Sequence, residues 1–362
     1  MFGATRHARV AGVLVGYLAD LVFADPRTGH PVAGFGVAAT TVQRLTYRDT
    51  RRGGAVHVAI LVGAVSLFGT ALQRYARRYG PLGSAVVIAA ATWVALGGTS
   101  LARVGATMGG LLARDDLEDA RRLLPSLCGR DPALLDAAGL TRATVESIAE
   151  NTSDAQVAPL LWAVVGGVPG VLGYRAINTL DAMIGHRSPR YARFGWAAAK
   201  LDDAANYAAA RVTAALTVAC APIVGGSPSG AVTAWRRDAG RHPSPNAGVV
   251  EAAFAGALGV QLGGPTQYHY ELQIRPALGA GPPPTVTDLR RAVRLSRAVQ
   301  AATALALVGL NAAVRSGRRA CPRRSLASGR SLPAMPEPCR RGVPAFRRTR
   351  SSPAGSARPR RR

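Results

Sequence analysis

The feature that most constrains this chain is a series of long segments with almost no charge. They occupy residues 55–72, 82–101, 157–174, 208–226 and 299–314, and one arginine is their only charged side chain. Each is 16 to 20 residues long, and a helix of about 20 residues crosses the apolar core of a bilayer. A surface helix of a soluble protein would present a polar face. We therefore predict an all-α, polytopic helical membrane protein; a large soluble protein with buried Ala- and Gly-rich helices is the alternative.

A shorter apolar segment lies near the start of the chain. Residues 10–24 follow Arg6 and Arg9 and are interrupted by Asp20. These flanks resemble a signal peptide, but no clean small-residue cleavage site precedes the Asp-Pro turn that follows. A short span or an interfacial helix is the better interpretation.

The strong positive charge is concentrated at the other end. The net charge is +25, and residues 315–362 contain fifteen Arg and one Glu. This stretch is rich in Arg, Pro, Ser and Gly without an apolar period, so we expect a disordered tail after one membrane-embedded domain in 1–314. The tail either binds anionic lipid headgroups or is an adventitious extension, such as a shifted reading frame.

The remaining charge fits Arg-rich cytoplasmic loops, and no nucleic-acid motif is present, so we expect no nucleic-acid partner.

Three carboxylates stand directly before the third uncharged segment. In ESIAENTSDAQVAPLLW, Glu146, Glu150 and Asp154 are spaced four apart, which puts them on one side of a continuous helix. Like charges at this spacing repel, so the stripe needs arginines or a divalent metal as counter-charge. Ser153 and Gln156 also match a capping box, which predicts that a new helix begins at Ser153.

A second polar group follows that same segment, in YRAINTLDAMIGHRSPRYARFGWAAAKLDDAANY. Its first three polar residues are spaced three apart, which puts them along one side of a helix. Basic residues follow in a loop, and a DDxxN motif closes the group. The residues are Arg175, Asn178 and Asp181, then His186, Arg187, Arg190 and Arg193, then Asp202, Asp203 and Asn206. Carboxylates near a membrane surface commonly hold Mg²⁺ on a phosphate, although DDxxN alone is weak evidence.

Two His-Pro pairs hold a histidine away from helical backbone, because a residue before proline favours extended geometry. The first presents His30 close to Asp25, and the second places His242 just before Asn246, a predicted N-cap. Both are either simple turns or rigid loops that present functional side chains. We interpret residues 271–298 as a loop, a proline linker and an amphipathic helix.

Four stretches, in this order, resemble the adenosylcobinamide-phosphate synthase family of cobalamin biosynthesis, the CobD/CbiB type. They are DLVFADPRTGHPV, ESIAENTSDAQVAPLLW, GYRAINTLDAMIGHRSPRYARFGWAAAKLDDAANY and HPSPNAGVVEAAFAGALGVQLGG. The resemblance covers about residues 10–314 and leaves out the tail. It implies a multi-pass protein of the cytoplasmic membrane. The implied reaction joins (R)-1-amino-2-propanol, or its O-phosphate, to the free propionate of adenosylcobyric acid by ATP-dependent amide formation.

That chemistry suggests roles for the polar residues by type and placement. ATP, a co-substrate, must activate the carboxylate, so Mg²⁺ and arginines are needed against phosphate charge, and the amine must lose a proton. The corrinoid is a substrate rather than a cofactor. Catalytic candidates are Glu150, Asp154, His30, His186 and His242. Candidates for binding substrate or ATP are Arg175, Asn178, Asp181, Arg187, Arg190, Asn246 and Asn151. Metal candidates are Asp202, Asp203 and Glu146, with Glu150 and Asp154 as further ligands.

Two other functions stay open at this point. One is a UbiA-like, Mg²⁺-dependent membrane transferase, for which a second Asp-rich motif of DxxxD type is the discriminating feature. A non-catalytic membrane subunit would scaffold or transport the corrinoid. Lys200 is the only lysine and lies outside any GK[ST] motif, so no ATP site of P-loop type is present. Membrane lipid is an expected partner, and a homo-oligomer is compatible with the sequence.

The membrane prediction creates a geometric problem for any shared site. If residues 157–174 cross the bilayer once, the acidic stripe and the DDxxN motif lie on opposite faces. Gly166, Gly167 and Pro169 interrupt this segment at its centre, and such breaks are tolerated where the backbone lines a cavity or is buried in protein. We therefore predict that residues 157–174 form a re-entrant or broken pair of helices.

Overall fold

The chain folds into helices joined mostly by short turns, with one small sheet. A computed structural model describes residues 2–26, 28–186, 188–267 and 272–320. The helices are α1 (Phe2–Phe23), α2 (Pro31–Thr46), α3 (Arg51–Ala76), α4 (Gly80–Ala95), α5 (Gly98–Ala113), α6 (Leu117–Leu123), α7 (Ala137–Thr152), α8 (Ala158–Leu180), α9 (Trp196–Cys220), α10 (Pro228–Asp238), α11 (Ala247–Leu258) and α12 (Val286–Ala320). The strands β1 (Leu262–Gln267) and β2 (Leu272–Leu278) pair antiparallel. The all-α prediction is confirmed, but the stretch expected to be a loop contains β2.

The short apolar segment near the start of the chain packs against the other helices, because glycines let α1 approach α4 closely. A Cβ atom on Gly12 would lie 2.6 Å from the carbonyl oxygen of Ala85, and one on Gly16 would lie 2.6 Å from that of Ala89. Glycines four residues apart allow such close contact between apolar helices. Residues 10–23 therefore lie within a longer helix that packs along α4, and the predicted segment extends one residue past the end of that helix.

The prediction that residues 82–101 form a single apolar helix is wrong. Helix α4 ends at Ala95, and Leu96 has extended backbone before α5 begins. The cause lies in α1: the buried Asp20 carboxylate accepts from the backbone N–H of Thr99 at 3.2 Å and from Gln300 at 3.2 Å. A carboxylate is favourable at a helix N-terminus, so Asp20 stabilises a new helix start at this point.

The predicted helix start at Ser153 is also wrong. Helix α7 continues through one π-helical turn, Ser153–Val157, directly into α8. The Ser153 hydroxyl is buried without a hydrogen-bond partner, so it caps no helix. The carboxylate stripe therefore lies on one continuous helix, as its four-residue spacing predicts.

The predicted break at the centre of residues 157–174 is confirmed. Gly167 has φ 65° and ψ −148°, outside helical geometry, and glycine adopts such a backbone at little cost. The chain reverses there, since the Trp162 and Tyr174 rings stack with their centroids 6.4 Å apart. The two arms thus form an antiparallel helical hairpin. An arm of about ten apolar residues is only about 15 Å long, about half of a bilayer core.

Three helical stretches of the described residues are long and apolar enough to cross a membrane. By length and composition these are Arg51–Ala113, Ala137–Gly185 and Trp196–Val224. The second contains the hairpin at Gly167, so its full length is not that of one straight span. Large apolar side chains such as Val22, Leu67 and Val86 stand exposed on α1, α3 and α4. Exposed apolar surface of this kind marks a protein or membrane contact, which is consistent with a membrane protein.

The C-terminal end of the body is one long helix. Helix α12 includes both the predicted amphipathic stretch and the predicted apolar segment, and it continues to Ala320, six residues past the expected boundary. The predicted disordered tail lies, from residue 321 on, outside the described residues.

Candidate functional site

Five side chains from α7–α9 meet in a compact group that we call the acid–amide cluster: Asp154, Tyr174, Asn178, Asp202 and Asn206. The side-chain amide of Asn178 donates to Asp154 Oδ2 and to Asp202 Oδ1, at 3.3 Å each. The Asn206 amide donates to Asp202 Oδ2 at 3.0 Å. The Tyr174 hydroxyl lies 2.7 Å from Asn206 Oδ1 and 2.8 Å from the Asp154 carbonyl oxygen. Two carboxylates are thereby held side by side by donors.

Local backbone geometry presents two acids toward this region. Asp154 lies in the π-helical turn between α7 and α8, and Asp181 lies in a second π-helical turn, Asp181–Gly185, that ends α8. Single π-helical turns of this kind are frequent at functional sites. Asp202 and Asn206 lie one turn apart on α9, so both face the same neighbour. The hairpin at Gly167 brings these elements together.

An open groove of about 660 Å³ adjoins the cluster through Arg175. It is lined by polar and small residues of α2, of the turn before α2, and of α8: Asp25, His30, Thr40, Arg175, Thr179 and Met183 among them. The Arg175 Nη1 atom donates to Asn178 Oδ1 at 3.3 Å, and its buried Nε has no hydrogen-bond partner. The guanidinium thus links the groove to the acid pair and keeps a donor available for a ligand.

His30 lines this groove in a defined orientation. Its Nδ1 accepts from the Val32 backbone N–H at 3.1 Å, which caps α2, and its Nε2 lies 3.6 Å from Asp25 Oδ1. The groove is therefore lined by a His–Asp pair and by a guanidinium.

A second group, which we call the glutamate cluster, lies farther up α7: Arg130, Glu146, Glu150, Glu251 and Arg275. Arg130 forms a buried ion pair with Glu146, whose Oε1 also accepts from the Gly263 backbone N–H at 2.6 Å. Glu150 is exposed and interacts electrostatically with both arginines. Glu251 is 1% exposed, and neither of its carboxylate oxygens has a hydrogen-bond partner. Burial raises the pKa of Glu251 well above its usual range.

Glu150 connects the two clusters. Besides the arginines of the glutamate cluster, its carboxylate interacts electrostatically with Asp154 and Asp202. The stripe of sequence-predicted carboxylates thus runs from an ion pair at Glu146 to the acid–amide cluster at Asp154. The counter-charge required by the stripe comes, at its first member, from arginine.

His242 borders the glutamate cluster and is buried. Its Nε2 lies 3.4 Å from Arg275 Nη1, and its Nδ1 lies 3.1 Å from the Ser244 N–H and 3.3 Å from the Ser244 carbonyl oxygen. Burial and the neighbouring guanidinium lower the pKa of His242 to about 4. The side chain is therefore neutral near pH 7, and its Nε2 lone pair faces an arginine rather than a ligand, which weakens the case for a general base.

The three predicted metal ligands do not meet, which corrects the metal assignment. Asp202 faces the acid–amide cluster, Asp203 pairs with Lys200 at 2.9 Å near the surface, and Glu146 pairs with Arg130. Adjacent residues on a helix point about 100° apart, so DDxxN delivers only its first acid inward. No group of three His, Cys, Asp or Glu suited to a metal occurs among the described residues.

The other predicted ligand-binding residues lie outside the two clusters or outside the described residues. Asn151 donates to the Ser147 carbonyl oxygen, and Arg190 lies over the Tyr47 ring. The Asn246 side chain caps no helix; it donates to the Asp203 carbonyl oxygen at 2.8 Å and accepts from Arg211 at 2.7 Å. The exposed ring of His186 contacts Tyr191, and Asp181 interacts electrostatically with Asp202. Arg187 lies outside the described residues.

Sequence reasoning missed three of the buried polar residues. Glu251 stands in an apolar helix, where an acid without a partner is costly; that mismatch was the available signal. Tyr174 resembled an ordinary core aromatic residue. Arg130 lies in a loop, and its spacing of sixteen residues from Glu146 gives no local signal.

Fold and clusters together define a helical protein with membrane-spanning character and buried acidic sites at a helical hairpin. Its sequence matches the family described as CobD/Cbib protein over residues 13–296, and the chain belongs to that family. It is 68% identical over 310 residues to the Cobalamin biosynthesis protein CobD of Mycobacterium tuberculosis H37Rv, covering 86% of this chain and 98% of the relative. It is 42% identical over 273 residues to the protein of that name from Geobacter metallireducens, covering 74% and 86%. No solved structure matches the chain. The resemblance is confirmed, and with it a role in cobalamin biosynthesis.

Proposed function

We propose that the protein is the synthase implied by its sequence, a multi-pass protein of the cytoplasmic membrane. It joins aminopropanol, or its O-phosphate, to the free propionate of adenosylcobyric acid in an ATP-dependent ligase reaction. One observation carries the proposal: the Asn178 amide holds Asp154 and Asp202 together, and Arg175 connects this pair to an open groove. Paired acids beside an arginine suit phosphate chemistry, which amide formation from a free carboxylate requires.

The acid pair supplies two of the ligands that a Mg²⁺ ion bound to a nucleotide needs. Mg²⁺ is usually bound by one or two carboxylates together with substrate phosphates and water rather than by an all-protein cage. Asp154 and Asp202 supply such a pair, and the described residues offer no third acid in a metal arrangement. When bound with the nucleotide, Mg²⁺ would neutralise phosphate charge during transfer.

The side chains of the site then have separate roles in binding and positioning. Arg175 lies at the junction of groove and cluster, so its unpartnered Nε and remaining N–H groups bind a phosphate or the propionate carboxylate. Asn178 and Asn206 fix the two acids through three donated hydrogen bonds. The His30–Asp25 pair, which also lines the groove, orients a polar group of the substrate. Fixed geometry of this kind supplies much of the rate in phosphate and acyl transfer.

The decisive test is a reconstitution. The full chain, purified in lipid nanodiscs, is incubated with adenosylcobyric acid, ATP and Mg²⁺, and with either aminopropanol or its O-phosphate. Mass spectrometry follows the amide, and a coupled assay follows ADP. We expect stoichiometric amide and ADP, both dependent on Asp202. A folded protein that binds the corrinoid but forms no amide with either amine would favour the scaffold or transport subunit, and the proposal would be withdrawn.

A further inference from the structure

Glu251 is a buried acid that neither the fold nor the proposed ATP site explains. It projects from α11, is 1% exposed, and leaves both carboxylate oxygens without a hydrogen-bond donor. Most buried polar atoms in proteins have a partner, and a buried carboxylate without one is strongly disfavoured. Such a residue points to a ligand that completes its contacts.

The charges around Glu251 indicate the sign of that ligand. Its electrostatic neighbours are Glu146, Glu150, Arg130 and Arg275. Arg130 already forms the ion pair with Glu146, and Arg275 contacts His242, so three acids share two guanidinium groups that have other partners. The cluster therefore favours a further positive charge, and a small cation relieves the repulsion between Glu150 and Glu251.

The position is reached from the surface through Glu150, which is exposed although it adjoins both clusters. A groove of about 360 Å³ lies beside the glutamate cluster; it is lined by His242 together with Arg211, Pro245 and Val249, and His242 contacts Arg275. Glu150 lies one helical turn along α7 from Asp154.

We propose that Glu150 and Glu251 bind the ammonium group of the amine substrate and that Glu251 accepts its proton. The inference rests on the proposed function for the identity of the amine. In the step, an N–H bond of the ammonium breaks and its proton moves to a Glu251 carboxylate oxygen. The freed lone pair of the nitrogen forms the C–N bond to the acyl carbon of the propionate that ATP has phosphorylated. The bond from that carbon to the phosphate oxygen breaks, and phosphate leaves with the electron pair. The departing phosphate takes the second proton that the nitrogen must lose to become the neutral amide.

Two variants separate binding from folding. Glu251→Gln keeps the shape but can neither become negative nor accept a proton, and Glu251→Met removes the buried polar group altogether. Because the acid has no partner, we expect both variants to melt at or above the wild-type temperature. Glu118→Gln, on the surface of α6 where Glu118 pairs with Arg122, is the control for loss of one carboxylate.

Calorimetric titration with 1-amino-2-propanol, its O-phosphate and uncharged 1,2-propanediol tests the subsite without any reaction. We expect the wild type and Glu118→Gln to bind at least one of the two amines and not the diol, and both Glu251 variants to bind that amine at least tenfold more weakly. In the amide assay, KM for the amine should rise at least tenfold with KM for ATP within twofold. Wild-type amine affinity in both folded Glu251 variants would overturn the subsite.

The two proposals fail in distinguishable ways. If the wild type binds the amine through Glu251 but forms no amide, the subsite stands and the ligase function fails. If amide forms and both Glu251 variants keep the wild-type KM for the amine, the ligase function stands and the subsite fails.

Discussion

Replacing the two adjacent acids of the DDxxN motif gives the sharpest test of the acid–amide cluster. Asp202 accepts from Asn178 at 3.3 Å and from Asn206 at 3.0 Å and is 9% exposed. Asp203 pairs with the exposed Lys200. A hydrogen bond to a charged group contributes about 1.5–3 kcal/mol, whereas an exposed ion pair contributes about 0–1 kcal/mol. The two substitutions should therefore differ widely although they are chemically identical.

In Asp202→Asn, one of the two oxygens becomes an NH₂ group that faces a donor, so at least one bond is lost. A loss of about 1.5–3 kcal/mol of transition-state stabilisation lowers kcat/KM roughly ten- to 150-fold. Asp203→Asn should change kcat/KM less than about threefold. The assay measures amide formation at saturating ATP in nanodiscs, with circular dichroism and melting curves to show that both variants fold.

Equal losses in the two variants would contradict the inward and outward assignment of the acids. Little loss in either would show that the acid–amide cluster is a structural feature of the hairpin rather than part of the site. Restoration of Asp202→Asn by higher Mg²⁺ concentrations would further support a metal ligand at this position, since the carboxylate would then act mainly on Mg²⁺ affinity.

Three further predictions follow from the same contacts. Arg130→Met should lower the free energy of unfolding by about 3–5 kcal/mol, because it leaves Glu146 buried and unpaired; the double variant with Glu146→Gln should recover part of that loss in urea melts. Stability should fall between pH 6.5 and 4, because the pKa of His242 is lowered to about 4 in the folded state and the unfolded state takes up the proton first; His242→Gln should flatten this range of the melting profile. Gly167→Ala should destabilise the hairpin by at least about 1–3 kcal/mol, because its backbone angles are essentially confined to glycine and a Cβ atom would overlap Gln73 Oε1. Gly166→Ala, whose φ is not positive, should be nearly neutral in the same melts.

The sequence predicted those features that depend on local chemistry. The break in residues 157–174 followed from Gly166, Gly167 and Pro169, and the one-sided carboxylate stripe followed from its spacing. Predictions from local sequence patterns were wrong where a group distant in the sequence makes a competing contact. Asp20 on α1 stabilises a helix start inside an apparently uniform apolar segment, because its carboxylate meets a backbone N–H far along the chain.

Tertiary contacts also decided which polar residues meet. The capping box at Ser153 is a valid local signal, but packing of α7, α8 and α9 favours a continuous helix with a π-helical turn. That turn aims Asp154 at Asn178. The metal assignment to Glu146 was wrong because its carboxylate forms an ion pair with Arg130, a loop residue. Neither contact leaves a signature at short sequence spacing.

The helical hairpin explains why so many acids stand beside an apolar segment. A single crossing would separate the carboxylate stripe from Asn178 and Asp202, but reversal at Gly167 returns the chain to the same level, where those residues touch. Glu118, on α6 before α7, and Arg193, in the loop between α8 and α9, are both exposed. Single cysteines at these two positions should therefore react with an impermeant maleimide from the same side of sealed vesicles, in a chain without its four native cysteines. Reaction from opposite sides would mean that α7 and α9 approach the membrane from different faces, and the shared site built on Asn178 would have to be abandoned.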